Sequence, residues 1–398
     1  MRILINRKSI EYTCWFAILL ILFYQSVLQE YSIISNAALL VIAVLQFSRM
    51  GKEKMGILVC VTVWILFLIG YSVLLGNQIS LAFRFGIILL LVIFSYLWKV
   101  DYVFFLKALF VSSFGLVIAL FCLEGYMFTC SYDEYSMLRN NFFLANDMGD
   151  VFWWDIYYKL ELRGTPLIVF VYMLSYVADI FPHKFKVLYR ILYFIASILA
   201  GNFAYQMALL IFHVSYYIMI SMCSPRTFAK KMFWFFVLLI LLGGIASAFI
   251  SSQMETKEEG STPARVDQME VLNNNMSESM SSFVFGTGLG NTIEKETFYR
   301  NYRGSIYYEL QPLYFLNQLG WLNFFALIVT NIILSFRFIK RKELILVYCV
   351  YVLYASTNPY ILDTTQIVVI VSLLCAKAKM ENRRTSLSQI KSMNFSFN

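Results

Sequence analysis

The chain has little charge and almost no histidine. Of its 398 residues 14% are Asp, Glu, Lys or Arg and 60% are hydrophobic. A soluble chain of this length needs far more polar surface to cover its cores. The balance excludes an ordinary soluble domain and fits helices that face lipid. Only His183 and His213 are present. The cysteines, Cys14, Cys60, Cys122, Cys130, Cys223, Cys349 and Cys375, form no CxxC pair and no regular spacing. A disulfide framework, a metal site and histidine-based catalysis therefore lack their residues, and neither a metal nor another cofactor is expected. The chain has no internal repeat and no low-complexity segment.

A net charge of +8 could suggest a nucleic-acid partner. The basic residues, however, stand in short clusters between apolar runs, where they act as topology signals, so no nucleic acid is expected. The basic stretch Met1 to Lys8 precedes an apolar run without a small-x-small cleavage site, and the first helix is read as a retained anchor.

A spanning helix needs about 20 mostly apolar residues. Runs that meet this description lie at 12–28, 31–48, 56–75, 79–98, 102–123, 165–181, 187–200, 207–222, 232–250, 312–336, 343–360 and 361–376. Within 187–222 the polar break Gly201-Asn202 predicts two helices and a tight turn. Alternate loops carry Arg49/Lys52/Lys54, Lys99, Lys184/Lys186/Arg190, Arg226/Lys230/Lys231 and Arg337/Lys340/Arg341/Lys342, and both termini are basic. By the positive-inside rule both termini are cytoplasmic. The fold class expected is an all-α polytopic membrane protein of about twelve helices, a single integral membrane domain over residues 1–398 with multi-pass placement in a bacterial inner membrane. Two long loops, 124–164 and 251–311, face the periplasm.

The first loop carries Phe152-Trp153-Trp154 and Tyr157-Tyr158, which favour a membrane–water interface, so it is expected to fold back over the bundle. In the second, Thr262-Pro263 is a plausible helix start. Val266, Met269, Leu272, Met276 and Met280 then recur at roughly helical spacing and predict a short amphipathic helix lying on the membrane.

Five arginines stand outside the topology pattern. Arg84 lies inside an apolar run, where a guanidinium is costly unless paired or solvated. Snorkelling to headgroups is the alternative of similar weight. Arg163 ends the first loop, Arg265 opens the loop helix, and Arg300 and Arg303 precede Tyr307-Tyr308-Glu309. Arginine's planar fork suits phosphate oxygens, although a lone loop arginine is more often simply solvated. Gly286-Thr287-Gly288-Leu289-Gly290 could offer a nest of N–H groups to an anion or merely form a tight turn. Glu309, just before Gln311-Pro312, is a candidate general base. An ion pair with Arg303 is the structural alternative. Asp363 is a weaker carboxylate candidate.

The run from Arg265 through Phe285-Gly286-Thr287-Gly288-Leu289-Gly290-Asn291 to Tyr308-Glu309-Leu310, followed by Leu316-Asn317-Gln318-Leu319-Gly320-Trp321, resembles the Wzy-type O-antigen polymerases and the related ligase superfamily. Thr357-Asn358-Pro359-Tyr360 resembles the polymerase group too. The resemblance implies a GT-C-like, metal-independent glycosyltransferase that joins undecaprenyl-pyrophosphate-linked oligosaccharide donor and acceptor at the periplasmic face. The implied partners are these two substrates, membrane lipids and a chain-length regulator protein. It further implies that Arg265 and Glu309 are catalytic, and that Arg84, Arg163, Arg303, Gly288, Gly290 and Tyr308 bind substrate or pyrophosphate.

Two departures from the family pattern stand out. Tyr308-Glu309 stands where the ligase branch has a histidine, which favours polymerase over ligase. The turn Gly201-Asn202-Phe203-Ala204 lacks the basic residue the resemblance leads one to expect. A ligase acting on lipid A-core is the first alternative. A lipid-linked oligosaccharide flippase or a non-catalytic scaffold stands apart from both.

Overall fold

The computed structural model describes residues 6–222 and 261–395, apart from Asp147, Asp155, Tyr307 and Pro359. Helix accounts for 76% and strand for 4%. Most backbone polar groups are therefore satisfied within their own segment, as a lipid environment demands.

In order, the chain forms α1 (Arg7–Phe23), α2 (Ser32–Phe47), α3 (Lys52–Leu74), α4 (Ile79–Ser95), α5 (Tyr102–Met127) and the short α6 (Tyr132–Met137). A hairpin of β1 (Gly149–Trp154) and β2 (Tyr157–Leu162) leads into α7 (Thr165–Ala178), α8 (Lys186–Leu199) and α9 (Phe203–Met222). After the undescribed segment come α10 (Ser261–Met276), α11 (Met280–Phe285), α12 (Gln311–Leu334), α13 (Lys342–Ala355) and α14 (Thr364–Phe395).

Among the described residues five helical stretches are long and apolar enough to cross a membrane: Gln25–Phe47, Lys52–Leu74, Tyr102–Met127, Phe203–Ser221 and Gln311–Ile339. A sixth arises if Thr165–Ala178 and His183–Leu199, bent by 108° at their junction, count as one span. The expected run 232–250 lies outside the described residues, as do Arg226, Lys230 and Lys231. The expected spans 12–28, 79–98, 165–181, 187–200 and 343–360 fall on helices of 14 to 17 residues, and 361–376 lies in the 32-residue α14. The chain leaves α7 at Asp179, which adopts a left-handed φ of 54°. With 14 residues, α7 reaches only about 21 Å at 1.5 Å per residue. The two-helix reading of 187–222 matches the turn at Gly201, φ 68°.

α7 and the apolar half of α14 form the middle of the bundle. Ile168 to Val171 and Ile367 to Ile370 are wholly buried, as expected of helices hydrophobic on every side. α5, α13 and α4 pack around α14, and α1 pairs with α2 and α5.

The first long loop departs from an all-α fold. Ser131 and Glu134 form a reciprocal capping box on α6. Beyond it β1 and β2 pair antiparallel, from Gly149 opposite Leu162 to Trp154 opposite Tyr157. Val151 and Leu160 bury their side chains completely. In the second loop α10 forms, but its predicted stripe is split. Leu272 and Met276 are buried while Val266, Met269 and Met280 are exposed. The buried face is instead Gln268, Val271, Leu272 and Met276, packed toward the start of α12.

Candidate functional site

The site grows from a break in a helix. α12 starts with Pro312 in its first turn, where the missing N–H costs nothing. It is interrupted at Gly320, whose φ of 68° and ψ of 170° are not helical. The interruption frees carbonyls, and the glycine loop occupies them. Thr287 N–H donates to Asn317 O at 2.9 Å and Gly288 N–H to Gln318 O at 3.0 Å. A β-carbon on Gly286 would stand 2.2 Å from Gln318 O, and one on Gly320 would stand 2.2 Å from Gly286 N. Glycine is thus required on both sides of the crossing.

From the other side, Leu289 N–H donates to Ser72 Oγ at 2.6 Å and Asn77 Nδ2 donates to Thr287 O at 2.9 Å, both at the end of α3. At Gly288 this favours the tight turn over the anion nest, the two readings the sequence offers. The N–H groups of Gly286, Thr287, Gly288, Leu289 and Asn291 are already spent on protein acceptors. A β-carbon at Gly290 would meet Leu81 at 2.7 Å. The segment is a wedge between helices.

Asn317 ties this wedge to α10. Its Nδ2 donates to Leu272 O at 2.8 Å, and its Oδ1 accepts from Thr287 Oγ1 at 3.0 Å and Asn275 Nδ2 at 3.2 Å. Gln268 Oε1 accepts from Leu310 N–H at 2.8 Å, fixing α10 against the residue that follows Glu309. With α10 anchored twice, Arg265 Nε lies 3.3 Å from Glu309 Oε2, and Arg300 Nη1 lies 3.4 Å from Glu309 Oε1. All three side chains are 30–39% exposed. Pairs so open are worth about 0–1 kcal/mol each, so a ligand can separate them at small cost.

Beneath the pair lies a stack of phenols. Tyr308 is parallel to Tyr302 within 3° and sits 4.4 Å from the ring of Tyr314. Tyr302 donates to Asp267 Oδ2 at 2.9 Å, and Thr297 donates to the same oxygen at 2.7 Å. Burial, then the carboxylate of Asp267, pushes the Tyr302 phenol up, and burial pushes Tyr308 up to about 12. Both are neutral at ordinary pH. The Tyr308 hydroxyl is buried without a hydrogen-bond partner among the described residues, an unusual expense in a core.

The sequence-predicted residues are partly gathered here. Arg265, Glu309 and Tyr308 come together. Arg303 does not meet Glu309; its guanidinium pairs with Glu296 at 3.5 Å, well exposed. Arg300, one of the five arginines outside the topology pattern but not among those the resemblance assigns to the site, takes that place. Arg84, on α4, is exposed. Arg163 belongs to a different set of contacts, with its N–H donating to Ser26 Oγ at 3.0 Å beside the end of α1. Asp363 caps α14, accepting from Gln366 N–H at 3.1 Å.

The turn that lacks a basic residue in sequence receives one in space. Lys159 of β2 is buried over Gly201, where a β-carbon would meet Lys159 Cβ at 2.6 Å, and its ammonium lies 3.3 Å from the Trp154 ring. The neighbouring Asn202 donates to Asn358 Oδ1 at 3.0 Å. Asp267, Tyr302, Tyr314 and Lys159 carried no motif. Only the aromatic runs Phe152-Trp153-Trp154 and Tyr157-Tyr158 beside Lys159 gave a signal that could have found one of them. No family model, no curated protein and no solved structure matches this chain.

Proposed function

We propose that this protein is a multi-pass inner-membrane glycosyltransferase that polymerises undecaprenyl-pyrophosphate-linked repeat units of a surface polysaccharide. In this reading about twelve spans in a GT-C-like arrangement keep both termini cytoplasmic. Loops 124–164 and 251–311, and the Arg265–Glu309–Arg300 group, then face the periplasm. The observation that carries the reading is the convergence of two half-exposed arginines on one carboxylate beside neutral tyrosines. Two guanidiniums against one carboxylate leave a net positive charge, matched to a pyrophosphate.

When the donor enters, its pyrophosphate oxygens replace Glu309 as acceptors for Arg265 and Arg300. The freed Glu309 carboxylate accepts the proton of the acceptor hydroxyl. The hydroxyl oxygen bonds to C1 of the donor sugar as the C1–O bond to phosphate breaks, and the electron pair leaves on undecaprenyl pyrophosphate, stabilised by the arginines. The bond broken in the donor supplies the driving force, so the step needs no nucleotide.

Deleting the gene tests this reading. The expected product is lipid A-core capped by a single repeat unit, because ligation proceeds without polymerisation. Loss of all attached units, with polymer left on its lipid carrier, identifies a ligase instead. Accumulation of cytoplasmic-face repeat units identifies a flippase.

A further inference from the structure

At the other end of the bundle lies a second cluster of cations that the proposed reaction does not use. α3 runs from this end to the glycine wedge: Lys54 is in its first turn and Ser72 in its last. Eighteen residues at 1.5 Å each place the two ends about 27 Å apart. Here Lys54, Lys99 and Lys377 line one cavity of about 410 Å3, together with Tyr96, Trp98 and Phe338.

The three lysines line the same wall, so their ammoniums repel one another. Lys54 donates to Leu97 O at 2.8 Å and Lys377 to Phe338 O at 2.7 Å, each keeping donors to spare. The Lys99 side chain is exposed and makes no hydrogen bond or ion pair among the described residues.

The carboxylates nearby are mostly committed. Glu11 accepts from Arg49 and Gln46, Glu53 pairs with Arg337, and Asp101 accepts from Tyr12 while capping α5. Glu381 also lines the cavity, half-exposed and 4.0 Å from Lys377, so three ammoniums face one carboxylate there. A second, independent feature points the same way. Trp98 is 5% exposed and its indole N–H is buried with no acceptor among the described residues, a donor left unsatisfied in the wall of a cavity lined by lysines.

We propose that this cavity binds a phosphate group, of the kind carried by an acidic phospholipid headgroup or by a small free phosphate. An anion here relieves the mutual repulsion of the lysines. The cavity lies at the ends of helices apolar enough to span a membrane, the depth at which lipid phosphates sit, and basic pockets between such helices are a known means of holding acidic headgroups.

The test is native mass spectrometry of the full chain, released from micelles containing either phosphatidylglycerol or phosphatidylcholine. The wild type should retain phosphatidylglycerol and not phosphatidylcholine. The triple variant Lys54→Gln/Lys99→Gln/Lys377→Gln should lose it, while Lys8→Gln/Lys52→Gln, which neutralises exposed charges outside the cavity, should keep it. Lys99→Gln alone, at an exposed side chain with no contact to lose, should weaken retention roughly fivefold even where the triple variant fails to fold.

Displacement of the lipid by inorganic phosphate supports a site that reads phosphate from either source. Retention against inorganic phosphate supports a site that reads the whole headgroup. Equal retention of phosphatidylglycerol by wild type and Lys99→Gln, or of both lipids by the wild type, overturns the proposal.

Discussion

The two ends of the bundle each gather cations, but they do so differently. At one end Arg265 and Arg300 close on Glu309 at 3.3 and 3.4 Å. At the other, Lys54, Lys99 and Lys377 share a cavity with one carboxylate among its described lining residues, Glu381, which stands 4.0 Å from Lys377. A planar fork held by a carboxylate keeps a defined geometry in an empty site. Three flexible point charges in a cavity keep only a potential. The first arrangement suits a group that must be positioned for bond breaking, and the second suits one that need only be held.

The comparison can be broken most violently through the scaffold of the arginine end. Gly286→Ala adds a β-carbon 2.2 Å from Gln318 O at a φ of 91°, and should cost on the order of 3 kcal/mol of stability. Gly304→Ala, also at positive φ but with open space around it, should cost about 1 kcal/mol. Thermal unfolding in detergent measures both, and equal losses would show that the wedge is not tightly packed.

Next in size are the arginines themselves. Arg265→Ala and Arg300→Ala should each remove roughly 2–4 kcal/mol of transition-state stabilisation, about 30- to 1,000-fold in polymer formed. Arg265→Lys should also fall sharply, because the charge remains and the fork does not. Arg303→Ala, whose partner Glu296 is exposed, should stay near wild type. Chain-length profiles at matched protein abundance check all four. A mild Arg300→Ala with a severe Arg303→Ala would reverse the assignment.

The smallest effect on stability belongs to Glu309→Gln, about 0–1 kcal/mol, since both its pairs are open to solvent. Its effect on polymer formation should be far larger than its effect on unfolding temperature. Proportional changes in the two would make Glu309 a structural residue. The lysine triple variant should leave polymer length unchanged where the protein accumulates normally, which separates the two ends.

Much of this was legible in the sequence, in proportion to how local the determining forces are. The turn at Gly201-Asn202 and the helix over 261–276 follow from neighbours in the chain. The boundary of α7 at Asp179 and the break at Gly320 do not. Gly320 leaves the helix because residues 284–288 cross it, a contact some 30 positions away that no periodicity reports.

The same holds for ion pairing. Arg303 is closer in sequence to Glu309, but the Thr297–Asp267 bond holds the Arg300 segment against α10 and brings Arg300 to the carboxylate. The buried face of α10 departs from its hydrophobic spacing because Gln268 is buried to accept from Leu310, a polar residue that such spacing assigns to the surface.

The most direct test of the central claim is polymerisation by the purified full chain in proteoliposomes. The lipid-linked repeat unit from a deletion strain would be the only substrate, and released undecaprenyl pyrophosphate would be counted against bonds formed. The account predicts one pyrophosphate released per linkage for the wild type, and neither product from Arg265→Ala/Arg300→Ala at equal protein content. Wild-type rates from that double variant would contradict it.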